Sequence, residues 1–163
     1  MGAKYTAADV AACVVTSAFE CGRPVSNLQL QKILYFIQRD YMLSHGGITI
    51  FDDEFEAWQY GPVIPSVYWT YSIFGGSPIK VAQKYKSVDF LGGCDEPLNR
   101  LLPADEEFVR SKAESMSRLP AWKLVDESHR KGGAWDAVYS CGGPGMGNRN
   151  VIPAKLIMDR DGV

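Results

Sequence analysis

The chain has 163 residues, 46% of them apolar, and its 17 Lys and Arg stand against 19 Asp and Glu for a formal charge of −2. That size and composition predict one domain, residues 1–163, whose core needs no metal or disulfide staple. The near balance of charge excludes the basic excess that nonspecific phosphate binding requires, so nucleic acid is not an expected partner. The cysteines Cys13, Cys21, Cys94 and Cys141 include no Cys-x-x-Cys pair, and His45 and His129 are the only histidines. Neither a zinc ligand set nor a cofactor motif can be read from them, and reduced thiols in a cytoplasm fit best. Residues 1–9 resemble neither a secretory leader nor an Arg-rich transit sequence, and no run of about 18 apolar residues occurs. A cytoplasmic protein with no membrane span is expected.

In chain order, Thr6 with Asp9 three residues on predicts a capped helix whose Ala11, Val14, Val15 and Ala18 face a core, and Gly22 ends it. Ser26 and Gln29 form a second capping-box pattern, opening a helix over 26–44 that Gly46-Gly47 terminates. This helix has two apolar faces. Leu30, Ile33, Leu34, Ile37 and Tyr41 form one stripe, and Leu28, Tyr35, Phe36, Met42 and Leu43 lie roughly opposite, which predicts a central helix packed on both sides. Residues 48–51 and 54–58 are β-prone around Asp52-Asp53 and predict a short hairpin. Pro65 begins a third helix to Phe74; a third short strand is expected at 78–82 and a loop at 83–100. Residues 103–119 predict a polar helix with a solvated face, acidic early at Asp105, Glu106 and Glu107, with i,i+4 pairs Glu106 with Arg110 and Glu114 with Arg118. Shorter helices follow at 120–129, 135–139 and 153–159, with a Gly-rich turn segment at 142–148. The fold class expected is α+β, mainly α: a compact helical domain around a central apolar helix with a small antiparallel β element.

Catalysis requires a nucleophile, a base and a group that orients the base. The only grouping on offer is Cys141, His129 and Asp136, whose proximity in sequence matches no fold-specific spacing. The glycine run after Cys141 lacks the Gly-Lys-Ser/Thr ending of a phosphate loop, and Asp52, Asp53, Glu54 and Glu56 lack the alternate spacing of a calcium loop. The protein is therefore expected not to be an enzyme. The short connection between the first two helices permits an alternative, a DNA-binding transcriptional regulator whose second helix reads a groove through Asn27, Gln29, Gln31 and Lys32, with Arg39 meeting phosphate. The segment Phe55-Glu56-Ala57-Trp58-Gln59-Tyr60-Gly61-Pro62-Val63-Ile64-Pro65, running on into Val67-Tyr68-Trp69-Thr70-Tyr71, points elsewhere. It concentrates the amphipathic rings that dominate recognition surfaces around a rigid corner.

Three blocks carry a resemblance: Leu28-x-Leu30-Gln31-Lys32-Ile33-Leu34-Tyr35-Phe36; Phe51-x-x-Glu54-Phe55-Glu56-Ala57-Trp58-x-Tyr60-Gly61-Pro62-Val63-x-Pro65-x-Val67-Tyr68; and Ser128-His129-x-x-Gly132-Gly133-Ala134-Trp135, followed by Ile152-Pro153. Over about residues 28–157 the chain resembles the Panacea antitoxin domain family, which includes SocA-like, phage-associated proteins. The resemblance implies an antitoxin that neutralises a cognate protein toxin by direct contact in a bacterial or phage-infected cell, one branch of the family resembling adaptors that deliver the toxin to a ClpXP-type protease. Trp58, Gly61, Pro62, His129 and Trp135 are then expected to hold the scaffold, and Trp58, Tyr68 and Trp135 to form one aromatic cluster. Gln31, Lys32, Tyr35, Tyr60 and Tyr68 are the candidates for an accessible partner-binding surface.

Overall fold

A computed structural model describes residues 3–80, 101–142 and 150–162. Its first two helices, α1 (Ala7–Glu20) and α2 (Asn27–Ser44), both open on reciprocal capping boxes. The Asp9 amide donates to Thr6 Oγ1 at 3.2 Å while the Thr6 amide donates to the Asp9 carboxylate at 3.0 Å. Ser26 and Gln29 repeat the arrangement at 3.3 and 2.9 Å. Each box satisfies two backbone donors that a helix start otherwise leaves open. At the end of α1, Gly22 adopts φ 78° and donates to Phe19 O at 3.1 Å, and Arg23 donates to Ala18 O at 2.9 Å, a Schellman closure that turns the chain toward α2.

The order continues β1 (Phe55–Trp58), β2 (Gly61–Val63), α3 (Pro65–Thr70) with a 3-10 turn at Ser72–Phe74, α4 (Pro103–Met116), α5 (Ala121–Ser128), α6 (Ala134–Gly142), β3 (Val151–Ile152) and α7 (Ala154–Asp161). The architecture is α+β and mainly helical, and α2 is central to it: α1, α3, α4, α5, α7 and β2 all pack against it. Leu30, Ile33, Leu34 and Ile37 on one stripe and Tyr35, Phe36 and Met42 on the other are all buried. Leu43, on the second stripe, is exposed where the helix ends.

The β element differs from the expected hairpin. β1 pairs antiparallel with β2 across a turn at Gln59 and Tyr60, with Trp58 opposite Gly61, and β3 flanks the other side of β1, with Phe55 opposite Ile152. Residues 48–51 form no strand; Phe51 makes a single parallel bridge to Tyr5. Their backbone is satisfied from α2, since the Ile50 amide donates to Gln38 Oε1 at 3.0 Å and Gln38 Nε2 donates to Phe51 O at 2.8 Å. Asp52 and Asp53, read as a hairpin tip, instead accept from the Ala3 and Ala7 amides at 2.9 and 2.8 Å and hold the start of α1. Pro62 is tolerated within β2 because this is an edge strand, and its partner Ala57 donates to the far side, to Asn150 O at 2.7 Å. The third strand of the sheet is β3; of the strand expected at 78–82, Pro78 to Lys80 are irregular, with the Ile79 amide on Val25 O at 2.7 Å, and residues 81–82, the 83–100 loop, Cys94 and 143–149 lie outside the described residues.

The acidic start of α4 is likewise only partly solvated. Glu106 pairs with Arg110 at 3.3 Å as its spacing predicts, whereas Asp105 is buried and accepts from Tyr5 Oη at 2.7 Å, Tyr41 Oη at 3.1 Å and Lys4 Nζ at 3.4 Å. Tyr5 Oη in turn accepts the Leu102 amide at 3.0 Å, so one carboxylate joins the N-terminus, α2 and the entry to α4. Asp105→Ala leaves two phenols buried without their acceptor and is expected to lose about 2–4 kcal/mol of unfolding free energy in urea, against about 1 kcal/mol for Tyr41→Phe. Burial would raise the Asp105 carboxyl, but the bonds from Tyr5, Tyr41 and Lys4 outweigh it and hold it below its usual value. With the folded value below the unfolded one, this stabilisation is present at neutral pH and lost as pH falls through the folded value, so the gap between Asp105→Ala and the parent closes in acid.

Candidate functional site

Four polar side chains lie on the buried surface of α2: Asn27, Gln31, Lys32 and Gln38. Gln31 Oε1 accepts the Ile64 amide at 3.0 Å, Gln31 Nε2 donates to Asn27 Oδ1 at 3.0 Å, and Asn27 Nδ2 donates to Tyr68 O at 3.0 Å. Lys32 Nζ donates to Pro62 O at 3.0 Å. Together with Gln38 these side chains hold the backbone of residues 50–68 against the helix. Gln31, Lys32 and Tyr35, expected on an accessible surface, are each 0% exposed. The buried polar residues of the helix meet protein groups instead of water, as buried polar groups must. Tyr35 Oη donates to Asp161, which also accepts from the Ala134 amide and from Arg130, tying α7 to the start of α6.

The same burial bears on the DNA-reading alternative. Asn27, Gln31 and Lys32 turn into the core, Gln29 Nε2 is on Leu119 O at 3.0 Å, and Arg39 is paired with Asp40 at 2.7 Å while lying 4.8 Å over the Phe36 ring. The side chains that this alternative names are thus engaged within the protein.

Gly61 is demanded twice over. It has φ 108°, and a Cβ there would come within 2.5 Å of Lys32 Cε and 2.8 Å of Ser128 Oγ. The Gly61-Pro62 pair thus lets the edge strand close over the lysine that bonds it. Trp58 is half-buried, and its Nε1 donates to Glu56 at 2.9 Å. Its ring lies 5.1 Å from Tyr68 and 6.3 Å from Trp69, with Tyr68 and Trp69 5.2 Å apart. Trp135 belongs to a different group, stacked between His129 at 3.7 Å and Tyr139 at 4.6 Å. The expected single cluster of Trp58, Tyr68 and Trp135 is therefore two, joined by a 2.8 Å hydrogen bond from Trp135 Nε1 to Trp58 O.

Two large rings stand out into solvent here: Tyr60 at 62% and Trp69 at 64% exposure. Tyr60 is at the turn between β1 and β2. Trp69 is absent from the sequence-derived candidates, although α3 is six residues long and buries only Val67, which leaves its neighbouring ring outside. The Cys141, His129 and Asp136 grouping does not assemble by hydrogen bonds. Asp136 accepts from the Gly132 amide and Ser140 Oγ, both at 2.9 Å, Cys141 is exposed, and buried His129 Nε2 has no partner. Burial, and then the nearby Lys32 charge, hold the imidazolium of His129 below its ordinary range. Among the described residues no group of His, Cys, Asp and Glu is placed to hold a metal ion, and no helix is long and apolar enough to cross a membrane.

Burial without a carboxylate partner pulls the Lys32 ammonium down to about 7. The unfolded chain then binds more protons from about pH 7 to 10, so this contribution to stability rises with pH across that window. The stability of Lys32→Met relative to the parent is expected to fall between pH 7 and pH 10 by on the order of 3 kcal/mol, read from urea unfolding at each pH. Gly61→Ala should cost about 2–4 kcal/mol in thermal unfolding, from its positive φ and its contact with the lysine stem.

The family model described as antitoxin SocA-like, Panacea domain matches residues 30–136, a span that holds the buried grip of α2, the β1–β2 hairpin, α3 and the His129–Trp135 stack. Antitoxin SocA of Caulobacter vibrioides (strain NA1000 / CB15N) is 34% identical over 140 residues, 84% of this chain and 72% of that protein. No solved structure matches. The side-chain bonds from Gln31 and Lys32 to Ile64 and Pro62 join the first two sequence blocks that carry the likeness, and this chain belongs to the SocA-like Panacea domain family.

Proposed function

We propose that this protein is an antitoxin that neutralises a partner toxin by direct protein contact. The observation that carries this reading is the combination of family membership with a rigidly backed surface of exposed rings, Tyr60 and Trp69 beside the half-buried Trp58 and Tyr68. Amphipathic rings on a preorganised support lose little conformational freedom on binding and supply most of the energy at contact surfaces. Of the sequence-derived candidates, Tyr60 and Tyr68 serve as partner contacts. Gln31, Lys32 and Tyr35 act one step behind them, holding the hairpin and α3 in position. Delivery of the bound toxin to a ClpXP-type protease is a second part of the same proposal, supported by the resemblance to the adaptor branch of the family.

Co-expression with the product of the neighbouring reading frame tests the reading. Relief of that product's toxicity and co-elution of the two proteins are expected; unrelieved toxicity with no complex would overturn it. The protease part predicts a shortened toxin half-life in cells that contain both this protein and ClpXP. An unchanged half-life removes that part and leaves direct neutralisation standing.

A further inference from the structure

We infer that the surface formed by the outward face of β1, the Tyr60 turn and α3 docks a basic, arginine-bearing segment of the toxin. The inference rests on the antitoxin reading and names the chemistry of its contact.

Charge is distributed unevenly along the chain. Between Arg39 and Lys80 there is no Lys or Arg, while the same segment holds five acids: Asp40, Asp52, Asp53, Glu54 and Glu56. Three of these are bonded to parts of the chain outside this face. Asp40 pairs with Arg39 and Lys112, and Asp52 and Asp53 accept the Ala3 and Ala7 amides. Glu54 is exposed and Glu56 half-buried, and they alternate with the buried Phe55 and Ala57, so both lie on the outward side of β1 with Trp58. The bond from Trp58 Nε1 to Glu56 fixes a carboxylate at the edge of the ring group. Trp69 and Ile73, four residues apart and both largely exposed, extend the apolar part of the face.

A lysine does lie beneath this surface, Lys32, but it is wholly enclosed and its Nζ is bonded to Pro62 O, so it offers a ligand nothing to meet. The face combines accessible indole, a neighbouring tyrosine and carboxylates, with no cation of its own segment. Guanidinium matches that set best: it is planar and weakly hydrated, stacks on indole faces and pairs with carboxylates in the same contact. An acidic partner would be repelled, and a purely aliphatic one would leave the carboxylates unused.

The test is titration of the full-length protein with the neighbouring gene's product at 50 and 300 mM salt, with circular dichroism to verify the fold of each variant. Trp69→Ala should weaken binding about 30-fold, as loss of a central aromatic anchor does. The double variant E54Q/E56Q should weaken binding about 10-fold at 50 mM salt and lose most of the parent's salt dependence, since the attraction that salt screens runs through these two carboxylates. If the parent binds while Trp69→Ala and E54Q/E56Q bind within about twofold of it, the face is not the docking site and the antitoxin reading survives. Binding that needs Trp69 but ignores both salt and the glutamates overturns the basic partner. A parent that neither binds nor neutralises the toxin removes the inference together with the reading beneath it.

Discussion

The buried polar edge of α2 is the constraint on which the rest of the molecule depends. A helix enclosed on every side ordinarily carries apolar residues alone, because an unpaired polar group in the interior costs about 1–3 kcal/mol. Asn27, Gln31, Lys32 and Gln38 escape that cost by bonding backbone groups between residues 50 and 68. The reverse also holds: that segment contains only seven residues of strand, in β1 and β2, and relies on side chains for several of its amides and carbonyls. Helix and hairpin each supply what the other lacks, so neither arrangement is available without the other. Lys32 is the extreme case, with one carbonyl for a partner and a glycine directly against its stem.

Acidic residues divide by what they bond. Asp105 gathers two phenols and an ammonium, Asp161 joins Tyr35 to the starts of α6 and α7's far end, and Asp52 and Asp53 hold the N-terminal segment. These carboxylates connect elements distant in sequence, which makes them structural. Glu54 and Glu56 are left to shape the field of the ring-bearing face. Carboxylates bonded in this way tie the elements behind that face together, and a preorganised face carries a smaller ordering cost on binding.

Much of the helical framework was legible in the sequence. The Thr6/Asp9 and Ser26/Gln29 pairs marked two helix starts correctly because capping boxes are local, made between residues three apart. The two apolar stripes of α2 announced its central position for the same reason: periodicity is a property of the segment itself. The hairpin was misread because β propensity at 48–51 and the turn chemistry of Asp52-Asp53 are equally local signals, and tertiary partners overrode both. Gln38 took the backbone of Ile50 and Phe51, and the N-terminus took the aspartates. Of the candidate surface, Tyr60 could be found from the sequence as a ring beside the Gly61-Pro62 corner, whereas Trp69 required knowing that α3 buries little beyond Val67.

By itself the sequence determined the two capped helix starts, the central helix and the family, because caps, periodicity and the spacing of Gln31-Lys32 and Trp58-x-Tyr60-Gly61-Pro62 are read along the chain; the helix expected over 65–74 ends instead at Thr70, ahead of a 3-10 turn. Only the tertiary structure decided which polar side chains face inward. Whether Lys32 or Gln31 meets water depends on a carbonyl or amide some thirty residues away, and no local pattern encodes that pairing. It moved those residues, with Tyr35, from the surface to the frame behind it, and it brought Trp69, Glu54 and Glu56 forward beside Tyr60, which the sequence had already placed there.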